Sequence, residues 1–200
     1  MRIAVVVLAA GSGSRFGNAT NKVWLPLSGR RIISRSLSNA VKSFPGCRSV
    51  LVINSADTAL ANQVLRREAP HIDVELVNGG DSRHESEYNA LMHFAPAIED
   101  GSINLVLIHD GARPLATSML FHDIATTAHH HGGALPAIVV DPREMDTITD
   151  NQIVRVQTPQ AFRAEELLSA YQQAHTDNFI GTDTAACMER YFPNVCSIAV

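Results

Sequence analysis

The chain predicts a doubly wound α/β fold with a mostly parallel, Rossmann-like sheet, on three observations. Short apolar runs alternate with segments whose apolar residues recur at helical spacing. The first run, residues 3–8, empties at once into a glycine-rich stretch, Leu8-Ala9-Ala10-Gly11-Ser12-Gly13-Ser14-Arg15-Phe16-Gly17. Polar clusters follow the third and fourth runs, at the strand ends where ligands bind in open α/β sheets.

Taken in order, residues 3–8 form a buried first strand, and Ile33, Leu37, Ala40, Val41 and Phe44 mark a crossover helix over 32–44 that Pro45-Gly46 ends. Residues 50–53 are a second strand, and 58–68 a helix with Leu60, Val64 and Leu65 inward. A third strand over 72–77 stops at Asn78-Gly79-Gly80-Asp81, and a helix over 86–97 follows through Ala90, Leu91 and Phe94, with Ser86 as its N-cap. Residues 105–108 are a fourth strand and 120–131 a helix stopped by Gly132-Gly133. One strand over 134–140 carries Pro136 at a bulge or edge. A hairpin over 141–157 turns at Asp150-Asn151, a helix spans 164–174, Thr182 caps a further helix, and 195–200 is a last strand.

Two hundred residues suffice for one domain, 1–200, with a full core. The net charge of -4 argues against nucleic acid as a partner, and the apolar stretch 3–10 is too short to span a membrane and unlike a secretory signal, so the expected place is the cytoplasm. Cys47, Cys187 and Cys196 lack C-x-x-C spacing, which points to reduced thiols rather than a disulfide framework or a zinc site. His129, His130 and His131 are consecutive on a helix and so point in different directions; no metal ligands are expected there or elsewhere.

Gly11 and Gly13 permit positive φ, so the loop after the first strand is either a tight turn or a nest of N–H groups converging on a phosphate. Its spacing matches neither G-x-x-x-x-G-K-[ST] nor G-x-G-x-x-G, because Phe16 stands where the third glycine belongs. A nicotinamide-binding site is thereby demoted. The chain has only two lysines, Lys22 and Lys42, and Lys22 lies just past the loop, where with Arg15 it suits a polyphosphate. In Gly79-Gly80-Asp81-Ser82-Arg83-His84-Glu85-Ser86, Asp81 can accept from an amine or hydroxyl, whereas Arg83 alone reads as an ion pair with Glu85 or Glu87. In His109-Asp110-Gly111-Ala112-Arg113-Pro114, a carboxylate at a buried strand end requires a cation, a metal or ligand hydroxyls, and Arg113 is the nearest structural partner.

These motifs, with Asn21-Lys22-Val23-Trp24-Leu25-Pro26-Leu27, Gly29 and Gln157-Thr158-Pro159-Gln160, resemble the sugar-nucleotide pyrophosphorylases. Within them the chain is most similar to the cytidylyltransferases acting on 2-C-methyl-D-erythritol 4-phosphate and on ribitol phosphate. The resemblance implies a nucleotide-diphospho-sugar transferase fold and CMP transfer from CTP to a small phosphorylated polyol, with pyrophosphate released and Mg²⁺ carried mainly by the CTP phosphates. It implies catalytic Arg15 and Lys22; nucleotide contacts from Ala9, Ala10, Gly11, Gly13, Gly80, Asp81, Arg83 and Ser86; and acceptor contacts from Asp110, Arg113, Thr147 and Thr158. His84, Glu85, Glu87 and Tyr88 are outside its pattern, and Gly111 replaces an alanine, a change expected to be mild.

The family's long β-arm, which swaps across a dimer and carries an Asp-Arg pair, is shortened here, with Arg143 or Arg155 as substitutes for that arginine. A homodimer is the corresponding expectation. The family's later Asn-x-Lys-x-Thr segment does not occur in residues 1–200. Alternative acceptors are ribitol 5-phosphate, another alditol phosphate or a phosphonate, and an alternative class is a regulatory nucleotide-binding module without catalysis.

Overall fold

In the computed structural model, residues 1–11, 21–140 and 154–193 are described, together with the backbone of 196–199. The strands β1 (Ile3–Ala9), β4 (Arg48–Ile53), β5 (Glu75–Asn78) and β6 (Leu105–Asp110) run parallel in the order β5-β4-β1-β6. Beyond β6 the sheet continues with β10 (Gln160–Arg163), β7 (Gly132–Leu135) and β11 (Cys196–Ala199). Among its described strands β10 alone is reversed, pairing antiparallel with both β6 and β7. Chain order runs outward from β1 through β4 to β5 and then returns to β6 on the other side of β1. The topological switch therefore falls between the carboxyl ends of β1 and β6, where Leu8 is in register with Asp110.

Alternate residues of these strands face two apolar layers, which is why β1 and β6 read as unbroken apolar runs. One layer joins Ala4, Val6, Val106 and Ile108 to α3 (Arg83–Glu99), α5 (Ala164–Asp177) and α6 (Thr184–Tyr191), through Phe94, Tyr171 and Met188 among others. The other joins Val5, Val7, Leu51 and Leu107 to α1 (Ile32–Lys42), α2 (Thr58–Glu68) and α4 (Ser118–His131), through Leu37, Val64 and Phe121. Before α1, a small hairpin of β2 (Pro26–Leu27) and β3 (Arg30–Arg31) turns through Ser28 and Gly29, both at positive φ as a two-residue hairpin turn requires.

Several local expectations shift. The third strand starts at Glu75 rather than 72, because the Ser49 hydroxyl donates to the Asp73 carbonyl at 2.6 Å and pairing with β4 begins only at Val50 opposite Glu75. Helix α3 starts three residues early: Ser82 is its cap, accepting from the Glu85 N–H at 3.0 Å, and Ser86 lies inside the first turn. The Ser82-x-x-Glu85 spacing was the sequence signal for that start. The strand expected over 134–140 is two, because Pro136 ends β7 in the main sheet and the chain then enters a separate hairpin of β8 (Ala137–Val139) and β9 (Val154–Val156). That hairpin begins before residue 141, and its expected turn at Asp150-Asn151 lies outside the described residues. Helix α6 is capped by Asp183, not Thr182: the Asp183 carboxylate accepts from the Ala186 N–H at 2.9 Å.

That last correction is testable. Asp183→Ala should lower stability by about 1 kcal/mol, the usual effect of losing a capping oxygen, and Thr182→Ala by much less, as read from urea unfolding midpoints.

Candidate functional site

The site is assembled at the switch point from three strand ends. At the end of β1, Asn21 ties the returning chain back to the sheet: its amide donates to the Ala9 carbonyl at 2.7 Å and its oxygen accepts from the Val23 N–H at 3.3 Å. The single turn Lys22–Trp24 is thus anchored beside β1, and the buried Trp24 completes the anchor by donating to Asp57 at 2.9 Å. Asn21 fixes where Lys22 starts, a role that motif reading did not assign to it. Arg15 and Gly13 lie outside the described residues, as does Thr147. Gly11 is exposed at the mouth, Ala9 is buried and Ala10 partly so.

The end of β5 closes on the same point. A Cβ on Gly79 would lie 2.4 Å from the Ala10 Cβ and 2.8 Å from the Ser86 hydroxyl, so only glycine lets the two loops pass this closely. The Ser86 hydroxyl accepts from the Gly80 N–H at 3.1 Å and donates to the Ser82 carbonyl at 2.9 Å, stitching the diglycine to the first turn of α3. The Asp81 N–H donates to Glu85 at 2.7 Å, and Asp81 itself is exposed at the rim. Ala10, distant in sequence, is thereby brought against the segment that carries Gly80, Asp81 and Ser86.

Asp110 ends β6 and meets two guanidiniums. Its carboxylate accepts from Arg83 Nη1 at 2.5 Å on one oxygen and from Arg113 Nε at 3.0 Å on the other. Burial pushes the Asp110 carboxyl up, but the two arginines outweigh it and hold it below the usual carboxylate range. Arg113 reaches on to the Gln157 side-chain oxygen. Arg83 reaches inward, donating from Nε to Glu87 at 2.9 Å. Glu87 is fully buried in α3, where it also accepts from the Tyr171 hydroxyl of α5 and from the Thr184 hydroxyl of α6 at 3.0 Å. Complete burial raises the Glu87 pKa, against the opposing pull of Arg83, Tyr171 and Thr184. Arg83 therefore serves a buried ion pair as well as the rim, and of the two pairings weighed for it Glu87 is the one formed.

Beneath Asp110 lies a neutral relay. The Asp110 N–H donates to the Thr158 hydroxyl at 3.1 Å, that hydroxyl lies 3.3 Å from His109 Nδ1, and His109 Nε2 lies 3.1 Å from the Arg113 carbonyl. A carbonyl can only accept, so Nε2 carries the proton and Nδ1 takes the Thr158 hydrogen. Burial pushes the His109 pKa down to about 4, which keeps the ring neutral. Thr158 is consequently turned toward His109 and braces Asp110 from below.

Gly111 sits where the ends of β1 and β6 meet closely. A Cβ there would sit 2.7 Å from the Leu8 carbonyl, which already accepts from the Gly111 N–H at 2.8 Å, and 2.6 Å from Ile33 Cδ1. The splice between the ends of β1 and β6 has no room for a methyl group unless Ile33 and the backbone move.

Comparison with known proteins agrees with this architecture. A family model described as 2-C-methyl-D-erythritol 4-phosphate cytidylyltransferase matches residues 3–196. The protein of that name from Geobacillus thermodenitrificans (strain NG80-2) is 36% identical over 202 residues, covering 95% of this chain and 84% of its own length. Its counterpart in Bacillus mycoides (strain KBAB4) is 31% identical over 194 residues, covering 93% and 83%. The crystal structure of 4-diphosphocytidyl-2C-methyl-D-erythritol synthase from Anaerococcus prevotii DSM 20548 superposes with a TM-score of 0.79 at 22% identity, over 99% of this chain and 86% of that one, and so shares the fold.

Two outcomes follow from the geometry. Gly111→Ala should destabilise the chain by about 1–3 kcal/mol through overpacking, measured by denaturant unfolding. The His109 pKa falls from 6.5 in the unfolded chain to about 4 when folded, so between those values the unfolded chain binds the extra proton. The associated stability is complete above pH 6.5 and is lost as pH falls toward 4. From pH 7.5 to 4.5, wild type should lose about 2–3 kcal/mol more than His109→Gln, whose amide can make both hydrogen bonds without titrating.

Proposed function

Because the chain belongs to the 2-C-methyl-D-erythritol 4-phosphate cytidylyltransferase family, we propose that it transfers CMP from CTP to 2-C-methyl-D-erythritol 4-phosphate and releases pyrophosphate. The observation that carries the assignment of the site is the junction of Asp110, Arg83 and Arg113 at the switch point, beside a diglycine packed against Ala10.

A phosphate oxygen of the acceptor attacks the α-phosphorus of CTP, forming a new P–O bond as the bond to the β-phosphate bridging oxygen breaks and its electron pair leaves with pyrophosphate. The acceptor is a dianion near neutral pH, so the step needs no general base. Its barrier lies in bringing anions together and in charge developing on the α-phosphoryl oxygens. Lys22, set beside the end of β1 by Asn21, is assigned to those oxygens together with Arg15, and the N–H groups near Gly11 and Gly13 to the phosphate chain. Ala9, Ala10, Gly80 and Asp81 form the nucleoside wall; Ser86 holds that wall in shape and Arg83 joins it to Asp110. Asp110 and Arg113 face the acceptor, with Thr158 bracing them and Thr147 assigned to the same side.

Both Asp110 oxygens are engaged by arginines. That fits Mg²⁺ carried by the triphosphate and water, where it would neutralise the departing pyrophosphate. The cytoplasm is the location proposed with this family assignment; separately, no described helix is long and apolar enough to cross a membrane. The chain reads as one domain, 1–200. The shortened arm exposes Ile138, Val139 and Val154, which suits pairing with a second copy in a homodimer.

The test is pyrophosphate release from CTP with 2-C-methyl-D-erythritol 4-phosphate, with ribitol 5-phosphate as the competing acceptor. Wild type should prefer the former, and Lys22→Ala should lower kcat by about 10²–10³-fold, the scale of removing one preorganised donor from developing charge. Binding of CTP without pyrophosphate release would overturn the assignment, and unchanged kcat in Lys22→Ala would overturn the role given to that residue.

A further inference from the structure

The Glu87 carboxylate has no path to a substrate: it is fully buried, on the inner side of Arg83, enclosed by α3, α5 and α6. Yet a carboxyl group this deep is expensive unless each oxygen is satisfied. Arg83 Nε and the Thr184 hydroxyl satisfy one oxygen and the Tyr171 hydroxyl the other, so the group is held from three elements. Its consequence reaches the rim through a single side chain. A guanidinium is planar, so fixing Nε on Glu87 fixes the direction in which Nη1 points, and Nη1 is the atom that meets Asp110 at 2.5 Å. Without Glu87, Arg83 could swing about its long side chain, which is 32% exposed, and Asp110 would keep only Arg113, itself 41% exposed.

From this geometry we infer that Glu87, held by Tyr171 and Thr184, is a positioning residue: through Arg83 it sets the orientation of the Asp110 carboxylate and with it the acceptor subsite. The inference rests on the acceptor role proposed for Asp110. Glu87 touches no substrate, and its effect is expected on acceptor KM and not on CTP KM. Tyr171 is also stacked on His84 at 4.7 Å, so the anchor of Glu87 is part of the packed core between α3 and α5. The alternative, a carboxylate that only stabilises the helix layer, predicts a change in unfolding midpoint with both KM values preserved.

Kinetics and an independent spectroscopic readout separate these. Glu87→Met, similar in bulk but unable to accept, should raise acceptor KM roughly tenfold, the scale of one hydrogen bond to a charged group, with CTP KM within about twofold. Combined with Arg83→Met it should add nothing beyond Arg83→Met alone, because Glu87 acts through Arg83. Wild-type acceptor KM in Glu87→Met, or an effect that multiplies with Arg83→Met, would overturn the inference. Should Glu87→Met not fold, Glu87→Gln keeps the shape and removes the charge: a raised acceptor KM supports the inference and a wild-type value overturns it. If wild type itself shows no turnover with the acceptor, the proposed function fails, and the Arg83 Nε–H resonance in ¹H–¹⁵N spectra decides the positioning claim. A protected signal in wild type that is lost to exchange in the Glu87 variant supports it, and an unchanged signal refutes it.

Discussion

One electrostatic constraint organises this molecule: Asp110 ends a strand buried on both faces, and its charge has to be met there. Water reaches only part of the group, so the compensation comes from Arg83 and Arg113, which arrive from different parts of the chain. Arg83 in turn brings a second charge to be met, which Glu87 meets inside the helix layer. The four side chains sum to zero formal charge, two arginines against two carboxylates. Attraction for a polyphosphate must therefore come from elsewhere, which is the physical reason for assigning that task to Lys22, Arg15 and the backbone N–H groups of the first loop. The Asp110 cluster is suited instead to orientation: it is rigid, hydrogen-bonded at both oxygens and braced from below by the Thr158 and His109 relay.

Much of the scaffold was legible because its cause is local. Strands buried on both faces read as apolar runs in β1 and β6, and the 58–68 helix follows directly from the spacing of Leu60, Val64 and Leu65. Polar residues placed straight after those runs had to fall at the carboxyl edge of a parallel sheet, and they do. The two misplaced helix caps share one reason. Ser82 and Ser86 both suit a cap, as do Thr182 and Asp183, and the choice depends on which hydroxyl or carboxylate the preceding loop aims at the first free N–H groups. At Pro136 the missing N–H was read as a bulge or an edge position within one strand, whereas the chain leaves the main sheet there.

The parts of the site that stayed hidden depend on contacts between residues far apart in sequence. Nothing adjacent to Glu87 announces that Tyr171 and Thr184 will converge on it, since they are 84 and 97 residues away. The tight fit at Gly111 was likewise invisible in its own motif, because Ile33 and Leu8, which leave no room for a Cβ there, come from α1 and β1. Asn21 was visible only as a letter beside Lys22, and its bond to Ala9 exists because the loop closes on the strand it left. The resemblance supplied residue types for the site, and the packing supplied the reason each is held where it is.

The central requirement is that Asp110 act at the acceptor and not merely close an ion pair. The direct measurement is the pair of KM values for Asp110→Asn, which keeps the shape and the hydrogen-bonding oxygen but removes the charge. At least a tenfold rise in KM for 2-C-methyl-D-erythritol 4-phosphate with CTP KM within about twofold is predicted, on the scale of losing one charged hydrogen bond. An Asp110→Asn enzyme with the wild-type acceptor KM would contradict it.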